Sequence, residues 1–205
     1  AAHPVRLAPE LGTAEFCGGC HQFAFKNAHY GDEFHGQFQQ ASMDEFLDFR
    51  RDGGSQESCH DCHMAGGNHL MPGGYSNEML NQALKLDLAA TWQDQPPGIN
   101  LSVSVSAEGV GHRVPGGEHF RFLTLYTNLR NANALPSVNP LSEPESVEPQ
   151  SPVKLNTVTR VTAWPRIEIM RRHLGLRERG ADPSGSVSLD TRLMPGERRT
   201  FRYFV

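Results

Sequence analysis

The stretch "ESCHDCHMAGGNHLMPGG", residues 57–74, contains two cysteines that are separated by two residues and followed at once by a histidine. An earlier stretch, "FCGGCHQF", residues 16–23, repeats this Cys-x-x-Cys-His arrangement. Six residues make up the two motifs: Cys17, Cys20 and His21, then Cys59, Cys62 and His63. Cysteine and histidine together are ligands for zinc, for iron–sulfur clusters and for haem, so the metal group that they hold decides the fold.

The Cys-x-x-Cys-His motif is the attachment signature of c-type haem. Its two thiols add to the vinyl groups of one ring, and its histidine supplies the proximal axial ligand. A four-cysteine zinc site usually has about fifteen to twenty residues between its pairs. Here thirty-eight residues lie between the pairs, and zinc gives no reason for a histidine after each one. A thioredoxin-like dithiol would explain one pair only. The sequence therefore predicts two covalently bound haem c groups.

The composition limits the other classes of function. The chain has 205 residues, a formal net charge of −4 and four cysteines, all of them in the two motifs. The sequence contains no basic patch with interleaved aromatic residues, so we do not expect a nucleic-acid partner. It also contains no apolar run long enough to span a bilayer. Because haem c is normally attached outside the cytoplasm, we expect an exported protein, periplasmic or extracellular, whose signal peptide was removed before Ala1.

The first half of the chain, residues 1–97, is predicted to be a helical, loop-rich dihaem module. "SMDEFLDFRRDGG" has Ser42 and Glu45 at capping-box spacing and ends on two glycines, so it predicts a short helix. "SNEMLNQALKLDLAATWQ" has apolar residues at helical spacing, with Asn77 as a plausible N-cap, and predicts a longer helix that ends before Pro96.

In the second half, residues 98–205, the apolar period changes from near four to two. "LSVSVS" alternates apolar residues with serines, which is typical of a half-buried strand. Further strand-like pieces follow: "HFRFLTLYTNLR", "TVTRVTAW", "RIEIM", "SVSLDTRL" and "TFRYFV". They predict an antiparallel, immunoglobulin-like β-sandwich, and hence an α+β protein. A stretch with five prolines, residues 134–152, predicts a long loop.

Two of the other histidines are candidates for the second axial position of each iron. His69 and His112 both begin an H-x-x-P-G-G pattern, in which Pro fixes φ and the glycines allow close approach to a flat ring. Because the six residues from His63 to His69 span at most roughly 20 Å, we assign His69 to the first haem and His112 to the second.

Other distal ligands remain open. His29 and His35 compete as ligands, and His60 could reach a neighbouring haem. Three methionines could serve as thioether ligands: Met43, Met64 and Met71. Met64, however, is too close to His63 to reach the other side of its own haem.

The order of these segments resembles that of exported multihaem cytochromes c. In that family, H-x-F-P-G-G and G-H-x-F-P-T-G segments carry distal histidines, similar to "NHLMPGG" and "GHRVPGG" here, and "DTRLMPGERRTFRYFV" resembles the end of the family's β-domain. The chain departs from the pattern at Met71, Val114 and Gly116. The resemblance implies a small member with two haems and a C-terminal β-domain.

The leading hypothesis is a non-catalytic electron-transfer protein with two bis-histidine haems, which works with a redox partner or within a larger complex. The alternative is a haem enzyme or small-ligand sensor with one open, five-coordinate haem, near which Arg113 and Glu118 could support acid–base chemistry. A third possibility is a structural subunit whose haems form part of a longer electron wire.

Overall fold

A computed structural model describes residues 6–24, 37–129, 158–160, 166–172 and 190–205. The chain forms two compact units, each assembled from three segments. The motif unit comprises residues 1–85, 106–123 and 170–197, and the strand unit comprises residues 86–105, 124–169 and 198–205. The predicted division into folding domains at residues 97 and 98 stays a prediction.

The motif unit contains the helices. Their bounds are α1 (Ala14–His21), α2 (Ser42–Arg51), α3 (Cys59–His63) and α4 (Asn77–Ala83), with 3₁₀ turns at Pro9–Gly12 and Ala65–Gly67. Strands β1 (Gln22–Ala24) and β2 (Phe38–Ala41) pair antiparallel, with Gln22 opposite Ala41. Since α1 runs directly into β1, and β2 into α2, this small ladder brings α1 and α2 together.

The predicted helix in the "SMDEFLDFRRDGG" stretch is confirmed as α2, but its capping box is wrong. Ala41 is the N-cap and Ser42 is already helical. Glu45 therefore does not turn back to the helix start; it bonds elsewhere in the motif unit. The predicted glycine stop is confirmed, because Gly53 has φ +91° and the Gly54 N–H donates to the Phe49 carbonyl at 2.9 Å. This hydrogen bond, to a carbonyl five residues earlier in the chain, is the one that defines the Schellman motif.

The long helix predicted from Asn77 is wrong beyond its first two turns. Helix α4 ends at Ala83, its N-cap is Ser76, and β3 (Leu84–Asp94) begins at the next residue. Leucines four residues apart fit a helix, but Leu84, Leu86 and Leu88 also alternate with polar residues at the period of a strand. Pairing with a neighbouring strand decides between the two periods, and β3 lies beside β4 (Pro97–Ala107).

The other strands lie close to the predicted pieces. They are β5 (Phe122–Thr127), β6 (Val158–Arg160), β7 (Arg166–Arg171) and β8 (Arg198–Phe204). One sheet has the order β3-β4-β8-β6, and β5 pairs with β7. The α+β class is confirmed. Strand β6 runs parallel to β8, so the described strands are not all antiparallel, and the immunoglobulin-like sandwich stays a prediction.

Strand β4 is buried more completely than a half-buried strand would be. Its apolar residues Leu101, Val103 and Val105 are buried, but so are Ser104 and Ser106. The hydroxyl groups of these serines are satisfied, since Ser104 Oγ lies 2.8 Å from Thr200 Oγ1 and Ser106 Oγ donates to Glu108 at 2.9 Å. A central strand is covered on both faces, which the alternation alone did not reveal.

Two predicted segments lie partly or wholly outside the described residues. The proline-rich loop, residues 134–152, is outside them. In the "SVSLDTRL" piece only residues 190–193 are described, where Asp190 and Leu193 form isolated bridges to Arg172 and Val114 instead of a strand. None of the helices in the described part of the chain has the length and apolar character needed to cross a bilayer.

The end of β8 leaves no room for a side chain at Gly98. A Cβ there would lie 2.5 Å from both the Phe204 ring and the Val205 carbonyl oxygen. Gly98→Ala should therefore lower the free energy of unfolding by about 1–3 kcal/mol, measured by chemical denaturation. Gly12→Ala, whose Cβ would meet nothing within 4 Å, is the control and should change stability much less. Equal effects of the two substitutions would contradict the packing at β8.

Candidate haem-binding site

The two Cys-x-x-Cys-His motifs lie on helices of the motif unit. Helix α1 carries the first motif at its C-terminal end, and α3 consists of the second. Residues three apart on a helix share a face, so each pair of thiols points to the same side. None of the four cysteines forms a disulfide bond. At the start of α3 the backbone N–H and the hydroxyl of Ser58 both donate to the Asp61 carboxylate, at 2.6 and 2.9 Å, which fixes the second motif.

The first cysteines of the two motifs are neighbours. Burial raises the pKa of the Cys59 thiol, and the adjacent Cys17 thiol raises it further. Both residues are half-buried, whereas Cys20 and Cys62 are exposed. The two motifs therefore meet through one thiol of each pair.

His21 is oriented by a relay of side chains. Its Nδ1 lies 2.9 Å from Gln40 Oε1, and the Gln40 amide nitrogen donates to Glu118. Because a carboxylate can only accept, the amide nitrogen faces Glu118 and the amide oxygen faces the imidazole. Nδ1 of His21 consequently carries the proton.

His63 and His112 face each other. Their ring centroids are 6.2 Å apart and the ring planes differ by only 7°. His63 Nδ1 lies 2.7 Å from the Pro72 carbonyl oxygen, and His112 Nδ1 lies 2.9 Å from the Arg113 carbonyl oxygen. Since carbonyls only accept, both Nδ1 atoms carry a proton, and Nε2 is the nitrogen of each ring that can bind a metal.

The turn that carries His112 surrounds its ring. A Cβ on Gly116 would lie 2.7 Å from His112 Cε1, so only glycine lets the chain curl so closely beneath the imidazole. Burial lowers the pKa of His112 and outweighs the opposing effects of the Arg113 carbonyl and the Glu45 charge. The ring is therefore held neutral, the form that binds metals.

The geometry of the His63–His112 pair fits an iron ion between the rings. Imidazole nitrogens bind transition metals at about 2.0–2.1 Å, so rings on opposite sides of one ion have their centres about 6 Å apart. Metal-binding histidines also donate their other N–H to a carbonyl or carboxylate, as these two do. Paired thiols beside one of the rings complete the donor set of haem c.

The other predicted ligands within the described residues are not brought together in this way. His69 is exposed in the turn after α3, and no ring contact between it and His21 is found in the part of the chain that the structure describes. His29 and His35 lie outside the described residues. The buried Nδ1 of His60 has no hydrogen-bond partner. Their roles as ligands stay predictions.

The candidate thioether ligands lie in different settings. Met43 on α2 packs against α1, because a Cβ on Gly18 would lie 3.2 Å from its sulfur. Met64 directly follows the second motif, and Met71 is exposed, with φ +47°. Within residues 6–24, 37–129, 158–160, 166–172 and 190–205, no three His, Cys, Asp or Glu side chains converge as a metal-binding group.

Sequence analysis missed a buried ionic cluster next to the His112 turn. Arg192 forms ion pairs with Glu45 at 2.5 Å and with Asp190 at 2.7 Å. Burial opposes ionisation of Asp190, but hydrogen bonds and charge from Arg192 outweigh it and lower the pKa of the carboxyl group. This pair therefore contributes stability that is present above the ordinary pKa of 3.8 and lost as the pH falls through the lowered value. No spacing signal joins residues so far apart in sequence.

Comparison with known proteins gives a structural neighbour. No protein-family model and no curated protein matches the chain. The structure is similar to that of a penta-haem cytochrome c552 from Thermochromatium tepidum, with a TM-score of 0.61 and 25% sequence identity. The match covers 96% of this chain and 45% of that one, so the chain spans less than half the length of its structural neighbour.

The similarity supports a relationship to the multihaem cytochromes c. That class binds c-type haem, which the two Cys-x-x-Cys-His motifs also indicate, and its haems transfer electrons.

The relay behind His21 predicts a selective change in reduction potential. A hydrogen bond from Nδ1 makes an axial imidazole a stronger donor and favours ferric iron. Gln40→Met removes the acceptor, so we expect the potential of the haem bound at Cys17 and Cys20 to rise while the other stays constant, measured by spectroscopic redox titration. Gln56→Met, at an exposed glutamine bonded to Arg50, is the matched control. Two unchanged potentials in the Gln40 variant would contradict the relay.

Proposed function

We propose that this chain is a dihaem cytochrome c that carries electrons. Each haem is attached through one motif, and His112 is the second axial ligand of the haem whose proximal ligand is His63. The observation that carries the proposal is the near-parallel His63–His112 pair with 6.2 Å between ring centroids. This separation is close to the roughly 6 Å between the centres of two imidazoles that bind one metal ion from opposite sides.

The haem iron supplies reversible one-electron exchange between its ferrous and ferric states. The side chains determine how that exchange takes place. His63 and His112 would both hold the haem iron, and their Nδ1–H groups donate to backbone carbonyls and so fix each ring. A closed site favours outer-sphere electron transfer over binding of small molecules, because no axial position is free.

The neighbouring Cys17 and Cys59 support electron exchange between the haems. Each thiol would attach one edge of a haem ring, and the Cys17 and Cys59 side chains are close enough to interact with each other. The attachment edges of the two rings would therefore lie side by side.

The remaining ligands and partners complete the proposal. His69 is the proposed second ligand of the first haem, with His29 and His35 as its competitors. Residues 98–205 would supply an immunoglobulin-like β-sandwich. The chain would work with a redox partner or within a larger haem-bearing complex. The site of action would be periplasmic or extracellular.

An open first haem is the second candidate, favoured by the exposure of His69. It would make the chain a haem enzyme or a small-ligand sensor. The electronic spectrum separates the candidates: low-spin haem in both oxidation states that does not change with CO or peroxide supports electron transfer, and a high-spin component supports an open site.

Covalent stoichiometry tests the foundation of the proposal. The denatured polypeptide should be heavier than its sequence mass by two haem groups, with all four cysteines in thioethers, as measured by intact-protein and peptide mass spectrometry. A polypeptide of sequence mass, or one that carries zinc, would contradict it.

Ligand deletion tests the axial assignments. His112→Ala should open the second haem to CO while the first stays low-spin, and His69→Ala should do the reverse. Each variant is the control for the other, and the measurement is the CO difference spectrum of the reduced protein. If neither changes the spin state, His29 and His35 become the favoured ligands.

A further inference from the structure

The turn that carries His112 is held between α2 and residues 190–193, all within the motif unit. We propose that Arg192 and Glu45 are positioning residues that hold His112 at its distance from His63. This inference rests on the proposed function, because it takes His112 as an iron ligand. Glu45 and Arg192 bond to the backbone of the turn that carries the imidazole, Glu45 at the Arg113 N–H and Arg192 at the Pro115 carbonyl.

Glu45 fixes the peptide that follows His112. One of its carboxylate oxygens accepts the Arg113 N–H at 3.1 Å, and the other accepts a hydrogen bond from Arg192 at 2.5 Å. The carbonyl of the same Arg113 accepts from His112 Nδ1 at 2.9 Å. The residue whose carbonyl orients the imidazole is thus itself held by a carboxylate on α2.

Arg192 joins the turn to the chain on its other side. Its guanidinium donates to both carboxylate oxygens of Asp190, at 2.9 and 2.7 Å, and to the Pro115 carbonyl at 3.3 Å. Beside it, Val114 and Leu193 exchange two backbone hydrogen bonds of 2.9 Å. Together with the Glu45 carboxylate on α2, the guanidinium therefore binds acceptors from three segments of the chain. A lysine ammonium on its flexible side chain cannot bind all three in this planar arrangement.

Burial makes this cluster stiff. The Arg192 side chain is 5% exposed and that of Glu45 is 10% exposed. Little water can replace a broken bond there, and a partner left alone would be a buried, unpaired charge. The cluster therefore resists small displacements of the turn that an exposed ion pair would permit.

Apolar contacts remove the remaining freedom of the turn. A Cβ on Gly111 would lie 3.2 Å from Phe46 and 3.6 Å from Phe49, both on α2. Glu45 and Phe46 are consecutive, so one turn of helix supplies both the polar and the apolar contact. A shift of the 111–116 turn away from α2 would break the Glu45 hydrogen bond and move the imidazole with it.

The test uses the full haem-loaded chain with Arg192→Lys, which keeps the positive charge but loses the planar fork. A closed haem binds CO only when its distal ligand leaves, so the rate of CO binding to the reduced protein reports how firmly His112 is held. We expect this rate at the second haem to rise by about tenfold to a hundredfold, the effect of weakening one hydrogen bond to a charged group. His112→Ala gives the fully open limit.

Glu45→Gln is the second variant and remains informative if Arg192→Lys does not fold. The amide oxygen can still accept the Arg113 N–H but no longer pairs with the Arg192 charge, so we expect a smaller increase in the same rate. Gly98→Ala, which perturbs the strand unit, is the control for lost stability, and it should leave the CO rate unchanged at a similar loss of melting temperature.

Three results would overturn the inference. The CO rate could stay constant in both variants while the melting temperature falls, which would make the cluster structural only. Gly98→Ala could accelerate CO binding as much as Arg192→Lys, which would make the rate a measure of general stability. A wild-type chain that binds CO at once at both haems would contradict the proposed His112 ligation itself, and the inference with it.

Discussion

The separation of the His63 and His112 rings is the constraint on which the rest of the motif unit depends. The two near-parallel imidazoles have centroids 6.2 Å apart, and each is held in place by a hydrogen bond to a backbone carbonyl. For His63 the holding group is the Pro72 carbonyl, and for His112 it is the Arg113 carbonyl. Both H-x-x-P-G-G turns of the chain thus serve this one pair, the first as a hydrogen-bond acceptor and the second as the carrier of the ring.

The segment that carries His112 also reaches the other motif. Glu118, six residues after His112, accepts from the Gln40 side chain that orients His21. Arg172 donates to the Gln39 carbonyl at 2.6 Å, while the Gln39 side chain donates to Glu118 at 2.7 Å. One segment, residues 111–118, therefore carries the ring that lies beside His63 and takes part, through Glu118, in the polar relay that orients His21.

Much of the chemistry was predictable, and its supporting structure was not. The haem motifs follow from covalent spacing, and helix α2 and the strand pieces follow from local periodicity. The helix predicted beyond Ala83 failed because its leucines fit two periods and only pairing with β4 decides between them. The spacing of Glu45 from Ser42 predicts a capping residue, whereas the Glu45 carboxylate bonds to Arg113 and Arg192. Local patterns cannot report partners that lie far apart in the chain.

The sequence by itself determined which groups the protein can attach and where: two thiol pairs, each with a histidine at the next position, at spacings that one haem ring requires. Only the tertiary structure decided which histidines face each other. The distal histidine of a haem has no fixed sequence separation from the proximal histidine, because any sufficiently long stretch of chain can pass around the haem ring. The choice is made by the packing that places the His112 turn against α2 and Arg192, which is a property of the folded chain.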